Sequence, residues 1–170
     1  MSPAPLKKND MHTISLLVAN KPGVLVRCAQ VFARRGFNID ALVVSPSTNP
    51  KYSRMTVTAS GDLATLDQII KQTSKLIDVI HCSEHTRKDA IDKEFALVKV
   101  RSSPAAKAQI SHLSKKYHAH IIDESGKALI VEQTGTTAEL DEFEAFLKKY
   151  GIIEMVRSGK LVMVKGKEPT

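Results

Sequence analysis

The chain of 170 residues contains no tryptophan, few other aromatic residues and only two cysteines. Cys28 and Cys82 form no CxxC pair, which is typical of a reducing cytoplasm in which thiols are buried rather than reactive. No apolar run approaches the roughly 20 residues that span a bilayer. Residues 1–10 also lack the apolar core of a signal peptide and are expected to be a loose tail. We therefore expect a cytoplasmic protein that does not enter a membrane.

The net charge of +7 and the pI near 9.4 would suit a nucleic-acid partner. However, Lys and Arg are spread along the chain, and no set of aromatic residues for base stacking accompanies them. We interpret the charge mainly as solvated surface and expect no nucleic acid to bind.

The motifs of several enzyme classes are absent. The sequence has no GxGxxG or GxxxxGK[ST] pattern, and no Ser, Cys or Thr lies in a recognisable activated setting. His118 and His120 would share one face of a strand, with His112 on the preceding helix, so three imidazoles could meet at a metal. We interpret these histidines as solvated and expect no metal site and no catalytic residue.

The pattern of apolar residues predicts two copies of one small α+β architecture. In the first, strands alternate over 12–19, 37–46, 52–59 and 77–85, with helices over 23–35 and from Asp62 to Lys75. The order βαββαβ repeats from residue 95 to the strands 152–157 and 161–164. Both halves fit the ferredoxin-like arrangement, with the helices on one face of an antiparallel sheet.

These patterns set the expected domain bounds. We predict a tail over 1–10, a first domain over 11–86, a charged linker over 87–94, a second domain over 95–166 and a tail over 167–170. Within the first domain, the predicted apolar stripe of the first helix contains Leu25, Cys28, Ala29 and Phe32.

The stretch from Ala19 to Asp40 is the one convincing candidate site. Pro22 and Gly23 stand where a helix begins, and Pro is suited to a first helical turn because it has no N–H to leave unpaired. Free N–H groups there would attract a carboxylate, and the amides of Asn20 and Asn38 both donate and accept. On the residues alone, either an ordinary turn or a ligand site remains open.

Several segments make the sequence resemble a known family. They are ISLLVANKPGVL (14–25), FARRGFNID (32–40), SRMT (53–56), LIDVI (76–80), EFALVKV (94–100) and YGIIEMVRSG (150–159). They resemble the small regulatory subunit of acetolactate synthase (acetohydroxyacid synthase), whose N-terminal half is an ACT domain. Asp40-Ala41 departs from the Glu-Ser usual in that family and leaves the pocket motif intact.

The resemblance implies a non-catalytic subunit of branched-chain amino-acid biosynthesis. Such a subunit binds and activates a large catalytic subunit and makes it sensitive to feedback inhibition by valine, leucine or isoleucine. The holoenzyme is a transferase that condenses two pyruvates, or pyruvate with 2-oxobutyrate. This chain would carry no cofactor; thiamine diphosphate, Mg and FAD are expected on the catalytic subunit.

The resemblance also implies a site shared by two regulatory subunits that form a homodimer through their ACT domains. Arg54 is a further candidate, for contact with the catalytic subunit. The effector-binding residues carried over are Asn20, Gly23, Val24, Leu25, Asn38 and Ile39.

Rival interpretations come from other classes. A stand-alone enzyme lacks support because no acid–base or nucleophile pattern is present. An RNA-recognition module shares the βαββαβ order but would carry aromatics on its third strand, whereas residues 53–59 have none. An ACT-type amino-acid sensor attached to a different metabolic enzyme remains the alternative.

Overall fold

The computed structural model describes residues 11–86, 88–167 and 170, so the predicted tail over 1–10 lies outside the described residues. The chain divides into two units, Met1–Ile91 with Lys160–Thr170, and Asp92–Gly159. Within the described part, no helix has the length and apolar character needed to cross a membrane.

The first unit is a four-stranded antiparallel sheet with two helices. The sheet order is β2-β3-β1-β4, so both βαβ connections cross a strand, as the ferredoxin-like arrangement requires. Its elements are β1 (Met11–Ala19), α1 (Val24–Arg34), β2 (Asn38–Pro46), β3 (Tyr52–Ser60), α2 (Leu63–Thr73) and β4 (Val79–His85).

Strand alternation and helical period build the core of this unit. β1 and β3 turn every second residue toward the helices, and these residues are almost completely buried. The residues that fill the core between sheet and helices include Ile14, Leu16, Val18, Met55, Val57, Cys28, Phe32, Leu66 and Ile69.

Two predictions about α1 are wrong. Pro22 does not stand in the first helical turn, because α1 begins at Val24 and Gly23 is its N-cap in the left-handed region at φ +83°. Leu25 is not in the buried stripe and is 42 % exposed, because the stripe runs through Val24, Cys28, Val31 and Phe32. The prediction is correct for Cys28 and Phe32, whereas Val24 and Val31 are buried in place of Leu25 and Ala29.

The second unit repeats the order, and the predicted fold of two tandem ferredoxin-like βαββαβ units is confirmed. Its sheet has the order β6-β7-β5-β8, and a ninth strand pairs with β5. The elements are β5 (Ala90–Arg101), α3 (Pro104–Tyr117), β6 (Ala119–Asp123), β7 (Ala128–Gly135), α4 (Thr137–Leu147), a 3₁₀ turn (Lys148–Tyr150) and β8 (Ile152–Arg157). The ninth strand, β9 (Leu161–Val164), falls within the residues of the first unit.

The structure differs from the predicted linker over 87–94, since β5 already begins at Ala90. The charged residues concealed an alternating strand, in which Ala90 and Glu94 are buried. Glu94 tolerates burial because Arg157 pairs with it at 2.7 Å.

The end of the chain also differs from the predicted second domain over 95–166, because the residues from Lys160 onward belong to the first unit. The backbone N–H of Lys165 donates to the Asp89 carbonyl oxygen at 2.9 Å. The Lys160 amine lies 3.4 Å from Thr13 Oγ1, on the face of the first sheet that carries no helix. Residues that follow the second unit in sequence therefore contact the first sheet.

Candidate functional site

The turn between β1 and α1 is anchored on both sides. The Asn20 backbone N–H donates to the Lys51 carbonyl oxygen at 2.8 Å, and its side-chain Nδ2 donates to the Pro50 carbonyl oxygen at 3.0 Å. The Ala19 N–H donates to the Asp78 carbonyl oxygen at 2.8 Å. The turn is therefore fixed between the loop that precedes β3 and the loop that precedes β4.

The N-terminus of α1 is the only described helix start without a side-chain cap among the four α-helices. α2, α3 and α4 are capped by Asp62, Ser103 and Thr136, the last in a capping box with Glu139. Gly23 caps α1 without a side chain to accept a hydrogen bond. The Val24 N–H donates to the Lys21 carbonyl oxygen at 3.5 Å, and the first bond within the helix runs from the Arg27 N–H to the Gly23 carbonyl oxygen. The N–H groups of Leu25 and Val26 therefore remain open to an anion.

Three charged residues that sequence reasoning missed surround this turn. The Asp78 side chain is 8 % exposed, and its Oδ1 lies 2.9 Å from Lys21 Nζ while its Oδ2 accepts from Arg27 Nη2. The hydrogen bond from Lys21, together with that from Arg27, holds the pKa of Asp78 below its ordinary value against the opposing effect of burial. The only feature of the sequence that could have indicated this cluster is an acidic residue, Asp78, directly before an apolar strand.

The predicted site residues fall into two groups in one chain. Asn20, Gly23, Val24 and Leu25 lie at the N-terminal end of α1, and Asn38 and Ile39 follow its C-terminal end. α1 has 11 residues, a length of about 16 Å at the α-helical rise of about 1.5 Å per residue. A single chain therefore does not bring the two asparagines together.

The side chains of these residues differ in what they can offer a ligand. Val24 and Ile39 pack in the core of the first unit, so only their backbone groups are available to a ligand. Leu25 is exposed. Asn38 is exposed as well, and its Nδ2 lies 2.5 Å from Asp40 Oδ1, at a bulge in the pairing of β2 with β3.

The histidines considered for a metal do not lie as predicted. His118 is not on a strand with His120, because it is the C-cap of α3 in the left-handed conformation at φ 50°. His120 begins β6 with Ala119 and lies 3.6 Å from Glu132. Among the described side chains, no group of three or more His, Cys, Asp or Glu residues is arranged to hold a metal ion.

The two cysteines are free thiols within the first unit. Cys28 is buried, and Cys82 packs against the same core, while its neighbour His81 is exposed on the other face of β4. Burial is the main cause that raises the pKa of Cys82, to about 12, and it also raises that of Cys28. Neither thiol is therefore activated as a nucleophile.

Arg54, the candidate for contact with another subunit, has a partner within the chain. Its Nη1 donates to the backbone carbonyl oxygen of Thr170, in the same unit. The predicted contact with a catalytic subunit stays a prediction.

The fold defines a class of protein with two ferredoxin-like units in tandem. Comparison with known families identifies the type of domain that the first unit forms. A family model described as "AHAS small subunit-like ACT domain" matches residues 14–81, so the first unit is an ACT domain. A second, "Small subunit of acetolactate synthase", matches residues 93–166. The chain belongs to the acetolactate synthase small subunit family.

Similar proteins cover nearly the full chain. The "Probable acetolactate synthase small subunit" of Archaeoglobus fulgidus is 41 % identical over 155 residues, which are 91 % of this chain and 97 % of that protein. The acetolactate synthase small subunit of Mycolicibacterium smegmatis is 39 % identical, covering 91 % of both chains. The crystal structure of the Thermotoga maritima small subunit matches with a TM-score of 0.82 and 35 % identity, over 93 % of this chain and 99 % of that one.

Proposed function

We propose that this protein is the non-catalytic regulatory subunit of acetolactate synthase. It binds and activates the catalytic subunit and makes it sensitive to feedback inhibition by valine or another branched-chain amino acid. In this proposal the chain carries no cofactor of its own, and thiamine diphosphate, Mg and FAD belong to the catalytic subunit. Membership of the small subunit family over both units supports the assignment.

The uncapped start of α1 is the observation that best supports an effector site at this turn. An amino acid's carboxylate would accept from the open N–H groups of the first helical turn. Asn20 uses its Nδ2 on Pro50, and within the described residues no group donates to its Oδ1. That oxygen is therefore free to accept from the ammonium group, while the exposed Leu25 side chain offers an apolar surface to an aliphatic effector.

The second asparagine requires a second chain. Because Asn20 and Asn38 lie at opposite ends of α1, which is about 16 Å long, the Asn38 that completes a site would come from the ACT domain of the partner. A homodimer with twofold symmetry would then hold two equivalent sites.

Inhibition would follow from a population shift. Valine changes the catalytic subunit only to the extent that it binds one arrangement of the ACT dimer more tightly than another. A coupling free energy of about 1–3 kcal/mol would give roughly 5–150-fold regulation.

The test uses the full chain together with its catalytic subunit. We expect Asn20→Ala and Asn38→Ala each to abolish inhibition by valine while activation of the catalytic subunit persists. Gln109→Ala is the matched control, since Gln109 is exposed on α3 in the other unit. Full sensitivity to valine in both asparagine variants would overturn the site.

The same assay separates the proposal from its alternative. An amino-acid sensor of a different enzyme would bind an amino acid but would neither co-purify with nor activate the acetolactate synthase large subunit.

A further inference from the structure

We propose that Arg27 is a further effector-binding residue and that Asp78 is its positioning residue. Asp78 holds one arm of the Arg27 guanidinium, and the other arm lies beside Gly23, where it would bind the α-carboxylate of the amino acid. This inference rests on the proposed function, because it concerns the same site.

Arg27 stands at a position that local electrostatics disfavours. It lies in the first turn and a half of α1, where the helix dipole is positive, and α1 has no acidic residue in its first turn to offset it. A cation there is repelled by the open N–H groups. The compensating charge comes from outside the helix, from Asp78, which directly precedes β4.

Asp78 is a built and buried anchor. Its side chain is 8 % exposed, and its two oxygens are divided, with Oδ1 on Lys21 and Oδ2 on Arg27. Its backbone carbonyl oxygen also accepts from the N–H of Ala19, the residue directly before the turn. One residue therefore fixes both the path of the turn and the direction of the guanidinium.

Gly23 leaves the space that the guanidinium occupies. A Cβ at Gly23 would lie 3.2 Å from Arg27 Nη1 and 3.9 Å from Arg27 Cζ, so the guanidinium lies directly against the turn. Arg27 Nη2 is bound to Asp78, whereas Nη1 has no acceptor among the described residues. The side chain is 46 % exposed, so Nη1 is accessible to a ligand.

This arrangement suits a carboxylate. A guanidinium presents its donors in a rigid planar fork, and a fork fixed on one side by a carboxylate is pre-organised to bind another anion on the other. The open N–H groups of α1 lie at the same turn. Arg27 would therefore contribute to affinity for the α-carboxylate common to all amino acids and not to the choice among aliphatic side chains.

The experiment compares valine with valinamide, in which a neutral amide replaces the carboxylate. Both are titrated into the full-length protein by NMR, which follows dissociation constants into the millimolar range. For Arg27→Gln we expect valine to bind about tenfold more weakly and valinamide to change much less, so that the preference for the carboxylate falls.

The other variants define the roles. Asp78→Asn is expected to reduce the same preference, because the guanidinium is no longer held at Gly23. Arg27→Lys keeps the charge without the fork and should restore part of the valine affinity lost in Arg27→Gln. Lys75→Gln removes one charge from an exposed position of the first unit and is the matched control, with both affinities unchanged.

Two results overturn this inference alone: an unchanged valine affinity in Arg27→Gln, or an equal loss for valine and valinamide, which would indicate a purely structural role. Thermal unfolding of each variant identifies any variant that fails to fold. If Asp78→Asn fails to fold, Arg27→Gln and Arg27→Lys still decide the outcome. If the unaltered protein binds none of valine, leucine and isoleucine, the proposed function itself fails.

Discussion

At the scale of single residues, Gly23 combines two requirements that can be separated experimentally. Its φ of +83° disfavours any side chain, and a Cβ there would also press on Arg27. Gly36 shares the first requirement, at φ +72°, but a Cβ there would meet nothing within 4 Å. The two glycines therefore form a matched pair.

We expect Gly36→Ala to lower the free energy of unfolding by about 1 kcal/mol, the cost of a left-handed non-glycine residue, without changing the affinity for valine. Gly23→Ala should lower the free energy of unfolding by at least as much. It should also lower the affinity for valine, because the Arg27 guanidinium must move. Urea unfolding and valine titration measure the two effects. Equal valine affinities in both variants would contradict the role assigned to the turn.

Asp78 predicts a pH dependence whose sign follows from its lowered pKa. The folded chain releases this proton more readily than the unfolded chain, so the stabilisation is fully present above the unfolded pKa of about 3.9. It is lost as the pH falls through the lower folded pKa. Between about pH 6 and pH 3, the protein should therefore lose more stability than Asp78→Asn does. Parallel stability–pH curves for the two proteins would contradict this.

The cluster around Asp78 also shows where residue-level prediction stops. Asn20 and Gly23 could be selected because a turn with an asparagine and a glycine before a helix has a local chemical meaning. Lys21, Arg27 and Asp78 meet only after β4 has paired with β1, and Asp78 lies 51 residues after Arg27 in sequence. No local pattern carries that information.

At the scale of elements, the interface of β5 with β8 contains two ion pairs that differ in burial. Glu94 pairs with Arg157, with exposed side-chain fractions of 6 % and 22 %, and Glu94 also accepts from Thr137 on α4. Lys99 pairs with Glu154 across the same two strands, but their exposed fractions are 37 % and 62 %. The two pairs therefore lie on the same strand pair but differ in burial and in partners, because Arg157 also pairs with Asp141 at 2.7 Å.

We expect Glu94→Ala to lower the free energy of unfolding by about 3 kcal/mol, because it leaves a partly buried guanidinium with less compensation. Glu154→Ala should cost no more than about 0.5 kcal/mol, since water screens an exposed pair. Urea unfolding of both variants provides the comparison. Similar losses in the two would show that burial of the first pair contributes little.

The same strand explains an error of prediction at this scale. The charged residues before Phe95 suggested a linker, because strands are expected to be apolar on at least one face. Glu94 meets that requirement through Arg157 and Thr137, which lie 63 and 43 residues later in sequence. The capping residues of α2 and α4, in contrast, act within four residues, so a local sequence pattern is enough to indicate them.

At the scale of the whole molecule, the tandem architecture was predictable because each strand and helix buries one face and so carries its own periodic signal. The association of the final segment with the first unit was not, since the pairing of β9 depends on tertiary contacts. The proposed effector site likewise depends on contacts that no local sequence pattern indicates. Its proposed halves, at Asn20 and Asn38, lie at opposite ends of α1, and only the assembly can join them.

A cis–trans test on mixed dimers checks this directly. In one heterodimer, one chain carries Asn20→Ala and the other Asn38→Ala. In the other heterodimer, one chain carries both substitutions and its partner carries none. The two dimers contain identical sets of residues, and differently tagged chains allow each to be isolated.

If each site joins Asn20 of one chain to Asn38 of the other, the first heterodimer keeps one intact site, because its two unsubstituted asparagines face each other. The second heterodimer keeps none, since every site then contains one alanine. We expect calorimetric titration to give about one valine per first heterodimer and no tight binding to the second. The reverse result would place both asparagines of a site in one chain, which the length of α1 argues against.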